Sequence, residues 1–99
     1  MPKIIFEINY NIYPEKREDY INTINQLRTN IGENSDYDYS VYENKKNMNN
    51  FSEIYIFGSE DEFDAFEDNQ NEESIRLTQM LFDDFIKDRK VVYSTKYEV

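Results

Sequence analysis

The side chains best suited to chemistry are carboxylates, amides and phenols interleaved with apolar residues at strand spacing. Glu7, Asn9 and Asn11 alternate with Phe6, Ile8, Tyr10 and Ile12, so the three polar groups project from one face of an extended segment. Further along, Glu53 and Tyr55 alternate with Ser52, Ile54 and Ile56, and Ser94 and Lys96 fall in a third alternating run. With these runs as neighbouring strands, Glu7, Asn9, Asn11, Glu53, Tyr55 and Lys96 are expected to line one ligand-binding cleft beside Ser94. A carboxylate held near a second one in a desolvated cleft has a raised pKa and can act as a base, while Tyr and Asn orient an oxyanion or a phenol. The same residues also read as cross-strand partners at a hydrated dimer interface, with Glu7, Glu53 and Lys96 pairing there. No individual residue is assigned a catalytic step.

Composition narrows the chemistry further. The chain contains neither Cys nor His, which removes disulfides, thiolate nucleophiles, thiolate and imidazole metal sites and the Ser-His-Asp triad. No metal site and no cofactor is expected. Eleven Lys and Arg against twenty-one Asp and Glu give a formal charge of −10, which argues against binding a phosphate backbone, so nucleic acid is not an expected partner. Eight of the carboxylates lie between Glu60 and Glu73 with no basic residue among them, a pattern that reads as a solvated helix face. That run lacks the Asp-x-Asp-x-Asp-Gly spacing of a calcium loop. The apolar stretch Ile4-Ile5-Phe6 stops at Glu7, too short for a signal peptide or a membrane span, and a cytoplasmic protein without membrane association is expected.

The elements that must position these residues follow from periodicity. The 99 residues allow a single domain spanning 1–99, and 16% aromatic content makes Tyr and Phe the main core material. A first strand over Ile4 to Ile12 precedes a helix from about 15 to 31, with Pro14 at its start, Tyr20, Ile24, Leu27 and Ile31 on its apolar stripe and Gly32 as its left-handed cap. Strands follow over Asp36 to Glu43 and Phe51 to Phe57, joined by a polar loop. Ser59 and Glu62 form a capping box that opens a short helix through Phe63 and Phe66.

After a polar break at Asn69-Gln70-Asn71, a helix of about seventeen residues is expected, with Ile75, Leu81, Phe82, Phe85 and Ile86 on one face and Lys87, Arg89 and Lys90 at its end. Val91 to Val99 closes the order as a strand, with Tyr93 and Tyr97 facing the helices or a partner. Strand, helix, strand, strand, helix in two pieces, strand is the ferredoxin-like βαββαβ sandwich, an α+β fold with a four-stranded antiparallel sheet. Its helices cover one face only, so a second copy on the other face, a homodimer, is the expected partner.

The run Asn50-Phe51-Ser52-Glu53-Ile54-Tyr55-Ile56-Phe57 and the following Gly58-Ser59-Glu60-Asp61-Glu62-Phe63-Asp64-Ala65-Phe66 resemble the strand and helix start of antibiotic-biosynthesis-monooxygenase-like families. Those families belong to the dimeric α+β barrel superfamily. The resemblance implies two sheets packed face to face into a barrel, often with a small-molecule cavity in each protomer. It also implies roles from cofactor-independent oxygenation of polycyclic aromatics to haem degradation. The haem-degrading branch uses His with Asn and Trp, and this chain has neither His nor Trp. Where many relatives carry a His at the end of the short helix, this chain has the acidic stretch around Glu67-Asp68-Asn69. The expectation is therefore a monooxygenase-like or isomerase-like enzyme acting on a small organic ligand, or a non-catalytic ligand-binding or protein-interaction module on the same fold.

Overall fold

Alternation of Ile4, Phe6, Ile8, Tyr10 and Ile12 with more polar residues produces a nine-residue strand, β1 (Ile4–Ile12), in the interior of the sheet. The computed structural model of the chain describes residues 2–68 and 71–99. Chain order continues through α1 (Arg17–Asn34), β2 (Asp38–Glu43), β3 (Asn50–Phe57), α2 (Glu60–Asp68), α3 (Glu72–Met80) and β4 (Ile86–Tyr97). The strands form one antiparallel sheet in the order β2-β3-β1-β4, the ferredoxin-like arrangement expected from the element pattern. No helix among the described residues is long and apolar enough to cross a membrane.

The helices lie on the sheet face that carries Ile4, Tyr10 and Ile12 of β1 and Phe51, Tyr55 and Phe57 of β3. From α1, Tyr20, Ile24, Leu27 and Ile31 bury their side chains there at the helical spacing seen in the sequence. Phe63 and Phe66 of α2 pack on Phe57 at ring-centroid distances of 5.3 and 5.2 Å. The capping box at the start of α2 forms in a shifted version. Ser59 Oγ accepts from the Glu62 N–H at 3.2 Å, and the Glu62 carboxylate accepts from the Gly58 N–H at 2.8 Å.

Both expected long helices differ at their ends. Pro14 opens a short 3-10 turn, Pro14–Lys16, so α1 begins at Arg17, and the helix then runs through Gly32 to Asn34. Gly32 does not take a left-handed conformation. It sits in open space on a solvated last turn, where Asn34 Nδ2 donates to the Asn30 carbonyl at 2.8 Å and prolongs the helix.

The second long helix is the larger correction. Asn71 caps α3 by accepting from the Ser74 N–H at 2.9 Å, and α3 ends at Met80. A wider π-type turn, Leu81–Phe85, follows, and the chain becomes extended at Ile86. That turn buries both Leu81 and Phe85 and lets Ile86 pair with Ile12, so strand pairing overrides the helical pattern. Lys87, Arg89 and Lys90 consequently belong to the opening of β4, and Ile75 is half exposed. Asp88 and Arg89 adopt φ of 57° and 54° where the β1–β4 register shifts, a backbone costing about 1–3 kcal/mol per residue. The Asp88 N–H donates to the Tyr13 hydroxyl at 3.2 Å and helps hold the irregularity. The break expected at Asn69 and Gln70 lies outside the described residues.

Candidate functional site

Register decides which polar residues meet. Asn9 is opposite Ser52 and Asn11 opposite Asn50, whereas Ile8 is opposite Glu53 and Phe6 opposite Tyr55. Side chains of directly paired residues share a face. Glu7, Asn9, Asn11, Ser94 and Lys96 therefore stand on the open face, and Glu53 and Tyr55 stand on the helix face. The cleft expected to hold all six candidate residues is thus divided by the sheet itself. Glu53 occupies the same parity as Phe51, Tyr55 and Phe57, and the demand to bury three aromatic rings carries it inward with them.

On the open face the polar groups form a continuous network. Asn9 Nδ2 donates to Asn50 Oδ1 and Ser52 Oγ, both at 2.9 Å, and Asn50 Nδ2 donates to Asn11 Oδ1 at 3.1 Å. Ser52 Oγ donates to Glu7 Oε2 at 2.8 Å, and Lys96 Nζ stands 3.7 Å from Glu7 Oε1. Asn50 and Ser52 complete the network and are the residues that the sequence reading omitted, although their alternation with Phe51 marks their face.

On the helix face Glu53 is buried and has no ion pair with any described Lys or Arg. Its surroundings are phenols. Tyr39 donates to Glu53 Oε1 at 2.6 Å, and the Tyr10 and Tyr20 hydroxyls lie 2.7 Å apart beside it. Burial pushes the Glu53 carboxyl above its ordinary range, and the hydrogen bond from Tyr39 opposes that shift. Burial first, then the nearby Glu53 charge, raises the hydroxyls of Tyr10, Tyr39 and Tyr55 well above the usual phenol range.

Next to this cluster, between sheet and helices, lies a cavity of about 160 Å³. Phe6 and Ile8 of β1, Tyr55 of β3, Leu27 and Ile31 of α1 and Phe66 of α2 give it an apolar and aromatic wall. Its polar end is built by Ser35, Asn71, Ser74 and Thr78. Asn71 and Ser74 are fixed by the α3 cap, and Ser74 Oγ also donates to Asn30 Oδ1 at 2.6 Å. The volume is close to that of a cavity able to hold one benzene ring, ~150 Å³. Of the six candidate residues only Tyr55 lines it. Ser35, Ser74 and Thr78 carry no motif, so nothing in their local sequence singles them out. Among the described residues no group of His, Cys, Asp or Glu side chains is arranged to hold a metal ion.

Solved structures share this fold. A conserved protein from Methanosarcina mazei superposes with a TM-score of 0.83 at 16% identity, over 100% of this chain and 95% of that one. An antibiotic biosynthesis monooxygenase gives a TM-score of 0.77 at 16% identity, over 100% of this chain and 99% of the other. A protein from Mycobacterium tuberculosis gives 0.77 at 10% identity, over 98% and 95% of the respective chains. No family model matches the sequence, and no curated protein is similar to it. At these identities the likeness establishes the fold, which is the one implied by the sequence resemblance around Asn50 to Phe66.

Proposed function

We propose that the chain acts as one domain whose copies pair through their open sheet faces, each binding a small organic molecule of about one ring between sheet and helices. The observation that carries the ligand reading is the cavity, a space of about 160 Å³ with an aromatic wall and a polar end. An apolar wall supplies affinity and a few fixed polar groups supply orientation, the usual division of labour in ligand pockets. The pairing reading is supported by exposed Ile5, Tyr42 and Val92 flanking the amide network on a face that no helix covers.

The chemistry proposed is cofactor-independent oxygenation or isomerisation, and both begin by taking a proton from the bound molecule. In oxygenation of a CH₂ group by dioxygen, one oxygen atom ends in the product carbonyl and the other leaves as water. In isomerisation the proton returns at a different carbon. A second reading, binding without chemistry, is favoured by the cavity wall, whose described lining residues include no carboxylate and no amine.

Two experiments test these readings. Light scattering across a concentration series is expected to give a mass twice the 12.1 kDa of one chain, and a monomer at all concentrations would refute the pairing. Nitrobenzene titrated against the whole chain, followed by NMR, is expected to shift resonances of Ile8, Leu27 and Ile31. Ile8→Phe, which narrows the cavity, should abolish the shifts. Binding unaffected by Ile8→Phe would place the ligand elsewhere.

A further inference from the structure

The polar end of the cavity has a definite hydrogen-bonding character. Asn71 Oδ1 is engaged in the cap of α3, where it accepts from the Ser74 N–H at 2.9 Å. A backbone N–H needs an acceptor, so this bond fixes which end of the amide is oxygen. The other end, Nδ2, keeps two N–H groups that no described residue accepts. Ser74 directs its own hydroxyl proton to Asn30 Oδ1 at 2.6 Å. Ser35 and Thr78 complete this end of the lining, each with a hydroxyl that has no hydrogen-bond partner among the described residues. These free groups are not sealed in, since among the described residues no side-chain polar atom is both fully buried and without a hydrogen bond. A hydroxyl donates or accepts, whereas an amide nitrogen donates only. An acceptor on a ligand is therefore served by Asn71, Ser35 and Thr78 alike, and a donor by hydroxyl oxygens alone.

Charge sets the second limit. The described lining residues include no Lys, Arg, Asp or Glu, so an ionised group brought inside would lose its hydration without a counter-ion. The two short helices that wall the cavity also open on acids, Glu60, Asp61 and Glu62 in α2 and Glu72 and Glu73 in α3, on a chain of formal charge −10. That field opposes an approaching anion. We propose that the cavity takes an uncharged single-ring compound bearing a carbonyl oxygen, with the ring against Phe6, Ile8, Leu27 and Phe66 and the oxygen towards Asn71 and Thr78. This rests on the cavity being the ligand site, and it names the class of molecule that the site selects, whether that molecule is transformed or only bound. The reverse placement, oxygen against the aromatic wall, would strip the carbonyl of water without replacing the donor.

The test uses acetophenone and three molecules of similar shape. In α-methylstyrene a CH₂ group replaces the carbonyl oxygen, benzoate carries a negative charge and benzylammonium a positive one. Each is titrated against the whole chain, with resonances of Ile8, Leu27 and Ile31 followed by NMR. Acetophenone is expected to bind about tenfold more tightly than α-methylstyrene, the worth of one well-made hydrogen bond, although α-methylstyrene is the more hydrophobic. Neither ion should shift these resonances at concentrations that saturate with acetophenone. Asn71→Asp keeps the cap oxygen and removes the N–H donors, and Thr78→Val removes a hydroxyl at constant shape. Each should weaken acetophenone severalfold and leave α-methylstyrene unchanged, which also shows that the variant is folded. Equal affinity for the two neutral rings, an unaltered preference in both variants, or an ion bound as tightly as acetophenone overturns the proposed class and leaves the cavity standing. Failure of every ring, nitrobenzene included, to shift the three resonances refutes the cavity reading and the ligand class with it.

Discussion

The two faces of the sheet place polar groups in opposite ways. On the open face Asn9, Asn50, Ser52, Glu7 and Lys96 satisfy one another, with the carboxylate of Glu7 near a cation. On the helix face a single carboxylate, Glu53, is held among phenols and aromatic rings without a cation. The first arrangement pairs its polar groups with one another and adds stability through many small terms. The second carries the desolvation cost of a buried carboxyl and offsets it through a phenol donor instead of a cation. A residue type therefore has no fixed meaning in this sheet; its parity along the strand decides whether it joins the amide network of the open face or the buried aromatic layer.

The largest effect that would sharpen this contrast comes from the helix face. Phe57 is fully buried and its ring contacts Tyr37, Tyr55, Phe63 and Phe66. Phe57→Ala is expected to cost about 3–5 kcal/mol, read as a drop in the urea midpoint. Asn9→Ala on the open face should cost less, about 1–3 kcal/mol, because it strands the polar atoms of Asn50 and Ser52 without opening a large void. A larger loss for Asn9→Ala than for Phe57→Ala would mean that the amide network, not the aromatic layer, holds the sheet.

Glu53 gives an effect of intermediate size with a distinctive pH dependence. Burial raises its folded-state pKa above the unfolded value, so between those two values the native state binds more protons than the unfolded chain. Stability should therefore fall as pH rises from the ordinary glutamate range towards the raised folded value. Glu53→Gln cannot ionise and retains an oxygen for Tyr39, so its stability should lack this slope. Near neutral pH the variant is expected to be more stable than the wild type by about 1–3 kcal/mol, as when an uncompensated buried charge is removed. Parallel stability curves for the two proteins from pH 4 to 8 would show that Glu53 titrates normally, and the contrast between the faces would then rest on geometry alone.

Much of the fold was legible because short-range patterns and tertiary demands agree. The alternation in β1, the stripe Tyr20, Ile24, Leu27 and Ile31, and the cap at Ser59 and Glu62 each specify a local structure that the sheet and helices then use. The reading failed where two patterns compete. From Leu81 to Arg89 a helical spacing overlaps a strand, and the pairing of Ile86 with Ile12 wins. The site was less legible for a simpler reason. Glu53 and Tyr55 look polar beside Glu7 and Lys96, but face is set by the majority of a strand's apolar residues, and Phe51 and Phe57 outweigh one carboxylate. Placing Glu53 with those rings would have pointed to Tyr10 and Tyr39 as its partners. Ser35, Ser74 and Thr78 meet at the cavity only through the packing of α3 on α1, which no local spacing encodes.

The smallest expected effect lies on the same hairpin as Glu53, at its rim. Glu43 accepts from Arg17 Nη1 at 2.6 Å and Nη2 at 2.8 Å, and from the Asn49 N–H at 2.9 Å, where Asn49 itself takes φ of 66°. Hydrogen bonding from Arg17, and then from Asn49, holds the Glu43 carboxyl down to about 2. Its sign is opposite to that of Glu53: a depressed folded-state pKa contributes stability that is present above the ordinary glutamate range and is lost as pH falls towards 2. The pair is solvated, so Glu43→Gln should cost only about 0.2–1 kcal/mol near neutral pH, and less in high salt. Urea midpoints measured from pH 5 down to 2 should converge for Glu43→Gln and wild type, whereas those for Glu53→Gln and wild type should separate on going up from pH 4. Two glutamates ten residues apart would then report opposite proton linkage from one hairpin. A loss at Glu43 that ignores both salt and pH would mean that its worth lies in shaping the Asn49 turn, with the charge incidental.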